Sequence, residues 1–530
     1  MMKKKLIIIL IFPFMLQLTA QQVFKNYRLD KFSTLTSSTT DPFPSSNSIE
    51  RILIQDNIIW LGTDKGLSKS TDNGATWINY YKSSDFGTES ISAIAYGNGV
   101  IWAGLWHNEI ISGSNIPVGT GLRYSTDQGL TWTKIPQPVD DPGDSSIVYG
   151  INKIRALPVT VPQQNFTYGI ALTKNTVWVV EFAGGLRKST DMGKTWQRVI
   201  LPPDYLDSIK PSDTLKFSLQ PVAGKFGKEE YLNHRAFSIL AVNDSTIYAG
   251  TSGGINKSTD GGVSWAKFDH TNEAKSISGN FILSIKKNDY DNSIWAATWK
   301  AEGQTEFYGV SSSNDNGQSW KNYLSGEQVK DFAFKYYGNA GNYSGADIFA
   351  ASGDGIFRSS NYGNTWISAP EIRDNNSGVF LTTKDFLSVA VNGKSNGTTD
   401  IWLGSSNGLA SLNEFTGFWT GSWKVYLSSE KLQSASESYA FPNPFNPGLQ
   451  TVRIKYATAQ SANVTIRIFD FGMNLLRTLV ENNSRPASDQ NMEVWDGRDQ
   501  HGKVVTNGVY FYRIDLGTGN PLFGKIMVIM

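Results

Sequence analysis

Short apolar runs separated by Gly, Asn, Asp and Ser turns fill most of the chain, and one arrangement of them recurs. An aliphatic–aromatic pair opens a short apolar stretch at Ile59-Trp60, Ile101-Trp102, Val177-Trp178, Ile247-Tyr248, Ile294-Trp295, Ile348-Phe349 and Ile401-Trp402. A small residue usually follows, as at Gly62, Gly104, Gly250, Ala297, Ala351 and Gly404. Upstream of the pair lies another apolar stretch, such as Ile52-Leu53-Ile54, Ile91–Ala95, Phe237–Val242 or Leu387–Val391. Runs this short, bounded by turn residues, predict strands.

A second element follows each pair. Ser-x-Asp-x-Gly-x-Thr/Ser-Trp stands at Ser70–Trp77, Ser125–Trp132, Ser189–Trp196, Ser258–Trp265 and Ser313–Trp320. Ser359–Trp366 carries Asn361 for the Asp, and Ser411–Trp423 keeps only traces. Each unit therefore reads as four strands, with the Ser–Trp text as the last hairpin turn. Its Asp accepts backbone N–H groups of its own turn, its Gly permits positive φ, and its Trp packs between units. The aromatic spacings of 42, 76, 70, 47, 54 and 53 residues mark a fixed core with variable insertions. Seven four-stranded units predict an all-β fold, a seven-bladed β-propeller of four-stranded blades. Val23–Tyr27 resembles the fourth-strand text Trp320–Tyr323 and is expected to add a closing strand.

The pattern changes after Tyr426. Residues 427–438 are Ser-rich and read as a linker; residues 439–530 alternate as short strands at Thr451–Tyr456, Val464–Phe469, Leu475–Leu479, Asn491–Trp495, Gly508–Ile514 and Gly524–Met530. With turn signals at Asp496-Gly497 and Asn507-Gly508, this predicts a small immunoglobulin-like β-sandwich. At the other end, Lys3-Lys4-Lys5, the apolar run from Leu6 to Leu16 and a small residue at Ala20 read as a secretory signal. The expected organisation is signal 1–20, propeller 21–426, linker 427–438 and sandwich 439–530, with no membrane span after the signal and a secreted or outer-membrane surface location.

Composition narrows the chemistry. No Cys excludes disulfides, thiolate metal sites and cysteine nucleophiles, and four His leave little room for a multi-histidine centre. Neither a metal nor a cofactor is expected. Lys and Arg (48) balance Asp and Glu (47), so there is no electrostatic footprint for nucleic acid. Phosphate loops, His-Glu-x-x-His and Gly-x-Ser-x-Gly are missing from the text. Of 16 Trp, only Trp106 and Trp299 fall outside the repeat and the sandwich. They sit in insertions between second and third strands, on the face opposite the Ser–Trp turns, where the long insertions are expected. Trp106, His107 and Glu109, Glu181 and Phe182, and Trp299, Lys300 and Glu302 therefore form the candidate ligand-binding rim.

The Ser-x-Asp-x-Gly-x-Thr-Trp text resembles the Asp-box, or bacterial neuraminidase repeat. That resemblance implies structural, non-catalytic roles for Asp72, Asp127, Asp191, Asp260 and Asp315. Two enzyme families share the box. Sialidases begin with a Phe-Arg-Ile-Pro-like motif that this chain lacks; xyloglucanase-type glycosidases use two propellers, and this chain has room for one. Glycoside hydrolysis needs two carboxylates at a set separation, and Glu109, Glu181, Glu302 and Asp64 are the candidates. Residues 439–530 resemble the type A C-terminal sorting domain of type IX secretion cargo, itself similar to the immunoglobulin-like domain of flagellar hook-capping proteins. The matching text is Pro442-Asn443-Pro444-Phe445-Asn446-Pro447, Trp495-Asp496-Gly497-Arg498-Asp499, Gly508-Val509-Tyr510-Phe511-Tyr512 and Lys525-Ile526-Met527-Val528. Where that family has Gly this chain has Met473, with Gly472 one residue earlier, so the turn is expected to shift. The leading expectation is a non-catalytic propeller that binds an extracellular glycan or protein and uses 439–530 to engage the type IX secretion machinery. A glycoside hydrolase and a structural part of that machinery are the alternatives.

Overall fold

The computed structural model of the chain describes residues 41–219, 232–272, 275–376, 379–381, 383–393, 398–415, 417–429, 432, 434, 436–447, 451–517 and 519–530. The signal expected at 1–20 and the strand expected at Val23–Tyr27 lie outside them. The described residues form strands throughout, with a single 3₁₀ turn at Leu232–His234 and no α-helix. No helix among them is long and apolar enough to cross a membrane.

Seven four-stranded antiparallel meanders follow one another at 49–79, 90–135, 167–198, 236–268, 281–323, 329–368 and 386–426. The first shows the plan: Ile49–Gln55, Ile58–Thr63, Gly66–Ser70 and Ile78–Asn79 pair in order. The aliphatic–aromatic pair lies in the second strand, and the Ser–Trp text closes the third-to-fourth turn. First strands of successive meanders pack side by side, and that of the seventh lies beside that of the first. Ser388 Oγ donates to Ile49 O at that last junction (3.0 Å), as Ser92 Oγ does to Thr167 O (2.6 Å) and Ser238 Oγ to Ile282 O (2.9 Å).

Each Ser–Trp turn is built alike. In the first, Ser70 Oγ donates to Asp72 Oδ1 (2.8 Å) and accepts Gly74 N–H (2.8 Å); Thr76 donates its amide to Oδ1 (2.9 Å) and its hydroxyl to Oδ2 (2.6 Å). The same bonds recur around Asp127, Asp191, Asp260 and Asp315. The Thr195 hydroxyl, the Thr195 amide and the Ser189 hydroxyl hold Asp191 down to about 2. An Asp so saturated with donors fixes a turn.

The closing Trp completes a joint with the preceding meander. Trp132 meets Trp60 edge to face (6.1 Å), Trp366 meets Trp295 (6.4 Å), and Trp77 meets Trp402 of the seventh meander (6.2 Å). Trp196 with Trp102, Trp265 with Trp178, and Trp320 with Tyr248 share cores in the same way. The decayed seventh turn keeps the contact through Trp419 on Phe349 (5.6 Å). This explains the turn glycine. A Cβ on Gly74, already at φ 78°, would stand 2.5 Å from the Trp402 ring.

Long insertions are not confined to the face opposite these turns, contrary to expectation. In the sixth meander Val329–Asn339 and Asn342–Ser352 extend the first hairpin on the same face as the Ser–Trp turns. Other insertions tie their own meander down: Ser208–Ile209 adds a fifth strand beside Trp265–Phe268, and Asp41 exchanges two hydrogen bonds with Trp77.

The C-terminal residues form two facing sheets. One contains Ser438–Phe441, Val452–Thr458 and Ser488–Trp495; the other orders Leu475–Arg485, Ala462–Phe469, Gly508–Asp515 and Leu522–Val528. Phe445, Tyr456, Trp495 and Tyr512 lie in the core between them. The Pro-Asn-Pro-Phe-Asn-Pro text covers the outer edge of the last strand: Phe445 N–H bonds Met527 O, and Asn443 Oδ1 accepts Met527 N–H. The turn is not shifted by Met473, which itself adopts φ 63°. Leu427 is buried and Ser428 N–H bonds Asn47 Oδ1, so the expected linker begins within the packed meanders.

Candidate functional site

All seven first strands share one irregularity. Their register with the second strand slips near the start, between Ile49 and Arg51, Ile91 and Ala93, Thr167 and Gly169, Ala236 and Ser238, Ile282 and Ser284, Val329 and Asp331, and Phe386 and Ser388; the long first strand of the sixth meander slips again between Tyr337 and Gly338. The extra residues are Glu50, Ser92, Tyr168, Phe237, Leu283, Lys330 and Leu387. A β-bulge leaves its extra residue unpaired and re-aims its side chain. Here Tyr168, Phe237, Leu283 and Lys330 line a cavity of about 220 Å³ between the first strands, together with Arg51, Lys286 and Asp331.

The bulges split the cavity mouth into two halves. Meanders two to five carry rings in one continuous run. Trp106 stacks on Phe166 (4.9 Å), Phe166 meets Tyr168 (4.1 Å), and Tyr168 meets Phe237 (4.9 Å). Phe237 meets Phe281 (4.4 Å), Phe281 meets Trp299 (6.3 Å), and Trp299 meets Tyr308 (5.5 Å). The two Trp outside the repeat thus stand toward opposite ends of one aromatic arc. Phe182 joins from the side, 6.1 Å from Phe237 and under the Arg235 guanidinium (4.9 Å). The other half is ionic. Lys286 pairs with Asp331 (2.8 Å), Lys330 pairs with Asp385, and Arg51 donates to its neighbouring carbonyl, Glu50 O (2.8 Å).

The predicted rim residues meet different fates. His107 bridges two carboxylates, Nδ1 to Glu89 (2.8 Å) and Nε2 to Glu109 (3.1 Å). Partial burial disfavours its cation, but the bonds to Glu89 and Glu109 outweigh this and raise its pKa. Trp299 donates its indole N–H to Val329 O (2.6 Å). Lys300, Glu302 and Asp64 are exposed. Glu181 is a correction: it is fully buried, receiving Arg187 Nε (2.9 Å) and Gln137 Nε2 (2.7 Å), and so does not face a rim. Burial pushes its carboxyl up to about 7 against the pull of Arg187. No cluster of His, Asp and Glu among the described residues suits a metal ion.

Several residues escaped sequence reasoning. Glu89, Phe166, Tyr168 and Phe281 join these contacts, and of them only Tyr168 has a local signal, the break in strand alternation where its bulge falls. Arg358 was also hidden. It is buried between Asp347 (2.5 Å) and Glu414 (2.6 Å), with Phe418 on its guanidinium (4.0 Å). Burial alone would raise Glu414, but hydrogen bonds from Arg358 and Lys335 lower it.

No family model and no curated protein matches the chain. Solved structures match in fold. An ancestral GH74 enzyme aligns with a TM-score of 0.52 at 14% identity, over 92% of this chain and 62% of its own. This chain therefore spans less than two thirds of that enzyme. The GH74 enzyme of Niastella koreensis aligns at 0.49 with 14% identity, over 92% of this chain and 73% of its own. PorZ, a type IX secretion system surface component of Porphyromonas gingivalis, aligns at 0.38 with 14% identity, over 90% and 64%. The likeness to the ancestral GH74 enzyme, with the strands and sheets described above, defines the class as an all-β protein with a β-propeller fold.

Proposed function

We propose that this chain is an exported ligand-binding protein. Its seven meanders are the blades of one closed propeller built on Asp-box hairpins, and its bulged mouth holds an extracellular glycan or protein. Residues 439–530 form an immunoglobulin-like sorting domain addressed to the type IX secretion machinery. The observation that carries the binding reading is the aromatic arc. Seven rings from four meanders run in contact with one another, two of them, Tyr168 and Phe237, lining the cavity, and flat apolar faces beside hydrogen-bonding groups suit sugar rings and aromatic side chains. The bond from Ser388 to Ile49 and the Trp77–Trp402 joint support closure.

Glycan and peptide arrays probed with residues 21–530 test the binding reading. Retention lost in Trp106→Ala, with the folded state intact, is the expected result; an array with no retained ligand overturns it. Deleting 439–530 tests the sorting role, which undiminished surface delivery would reject. A glycoside hydrolase is the second reading. It is favoured by Glu89 and Glu109 standing on either side of His107, and product release from polysaccharides, abolished in Glu109→Gln, would establish it.

A further inference from the structure

The face of the Ser–Trp turns carries a second aromatic feature, on the side away from the mouth. The residue before the turn glycine is left-handed in all six well-formed turns: Asn73, Gln128, Met192, Gly261, Asn316 and Tyr362. Only Tyr362 puts a ring there, at φ 60°. Asn and Gly accept this region most readily; Gln128 and Met192 also occupy it, so the ring is what sets Tyr362 apart.

Tyr362 is half exposed and stacks on Tyr290, with centroids 6.2 Å apart, planes at 25° and hydroxyls 3.3 Å apart. Tyr290 lies in the first turn of the fifth meander. Its neighbour Asp289 donates its N–H to Tyr336 Oη (3.0 Å). Tyr336 in turn stacks on Tyr343 (4.4 Å, 19°), both on the lengthened hairpin of the sixth meander. Two stacks of two tyrosines thus meet at one surface, flanked by exposed Asn292, Asn339, Asn342 and Asn364.

We propose that the Tyr290–Tyr362 and Tyr336–Tyr343 stacks form a binding platform for an uncharged polysaccharide, separate from the mouth. Pyranose rings present flat C–H faces that fit phenol faces, and their hydroxyls match phenol and amide groups; tyrosine supplies such contact rigidly and at low entropic cost. A phosphorylated or sulfated ligand would need a free cation. Lys287 and Lys335, the cations closest in sequence to the rings, are held by Asp289 (2.9 Å) and Glu414 (2.6 Å).

Native affinity electrophoresis of residues 21–530 tests this, in gels cast with galactomannan, hydroxyethylcellulose or dextran. The chain is expected to be retarded in at least one gel. Tyr362→Asn, which restores a residue that other turns use, is expected to weaken retardation at least tenfold while the melting temperature holds or rises. Trp106→Ala is expected to leave retardation in place, which separates the platform from the mouth. No retardation in any gel overturns the proposal. Full retardation of Tyr362→Asn, or a fall in its melting temperature that accounts for the loss, also overturns it.

Discussion

The two ends of each meander obey opposite rules. At the Ser–Trp turn, five units repeat the same Ser, Asp, Gly and Thr or Ser bonds to within a few tenths of an ångström, and each Trp meets an aromatic of the preceding unit. At the bulge, seven first strands repeat a backbone irregularity but vary its side chain through Glu50, Ser92, Tyr168, Phe237, Leu283, Lys330 and Leu387. Repetition of side chain and backbone together marks what holds the fold. Repetition of backbone alone marks where the fold is free to vary its chemistry.

The contrast is broken most severely at a joint. Trp77→Ala removes a fully buried indole where the seventh meander meets the first, and is expected to cost about 4 kcal/mol in urea unfolding. Arg358→Met leaves Asp347 buried without its cation and Glu414 with Lys335 alone, and is expected to cost about 3 kcal/mol. The Glu414 pKa is lowered in the fold, so its contribution holds above the ordinary Glu value of about 4.3 and disappears as pH falls through the folded value. Acid titration of native and Arg358→Met chains should show a smaller loss in the variant, where Lys335 alone still lowers Glu414. A turn variant, Asp127→Ala, forfeits its donors' partner and is expected to cost about 1–2 kcal/mol without changing ligand retention.

The smallest effect concerns the mouth itself. The His107 pKa is raised in the fold, so the bridge from Glu89 to Glu109 is intact below the ordinary His value of about 6.5 and opens as pH rises through the raised value. NMR titration should place His107 above that value, and Glu89→Gln should bring it down. An unshifted His107 would mean that the bridge does not form.

The same contrast explains what could be read from the text. Residues close in sequence announced themselves: the paired Ile59-Trp60, the span Ser70–Trp77 and the strands at Val464–Phe469 and Gly508–Ile514 each have a backbone or side-chain partner within a hairpin. The arc did not. Trp106 and Phe166 are 60 residues apart, and Phe281 meets Phe237 from the next meander, 44 residues on. Glu181 reads as a rim acid beside Phe182, but it ends the strand Val177–Glu181 with its side chain buried against Arg187, while Phe182 lies in the turn beyond. Arg187 and Arg358 lie inside the third strands Gly185–Ser189 and Gly355–Ser359, and nothing local shows that they are buried.

The central claim is that turns hold the fold while bulged mouths bind. Array retention and urea unfolding, measured side by side on Asp127→Ala and on the double variant Trp106→Ala with Trp299→Ala, test it most directly. The turn variant should lose stability and keep its ligand, and the mouth variant should lose its ligand while remaining folded. A turn variant that loses the ligand while fully folded, or a mouth variant that binds undiminished, would contradict the account.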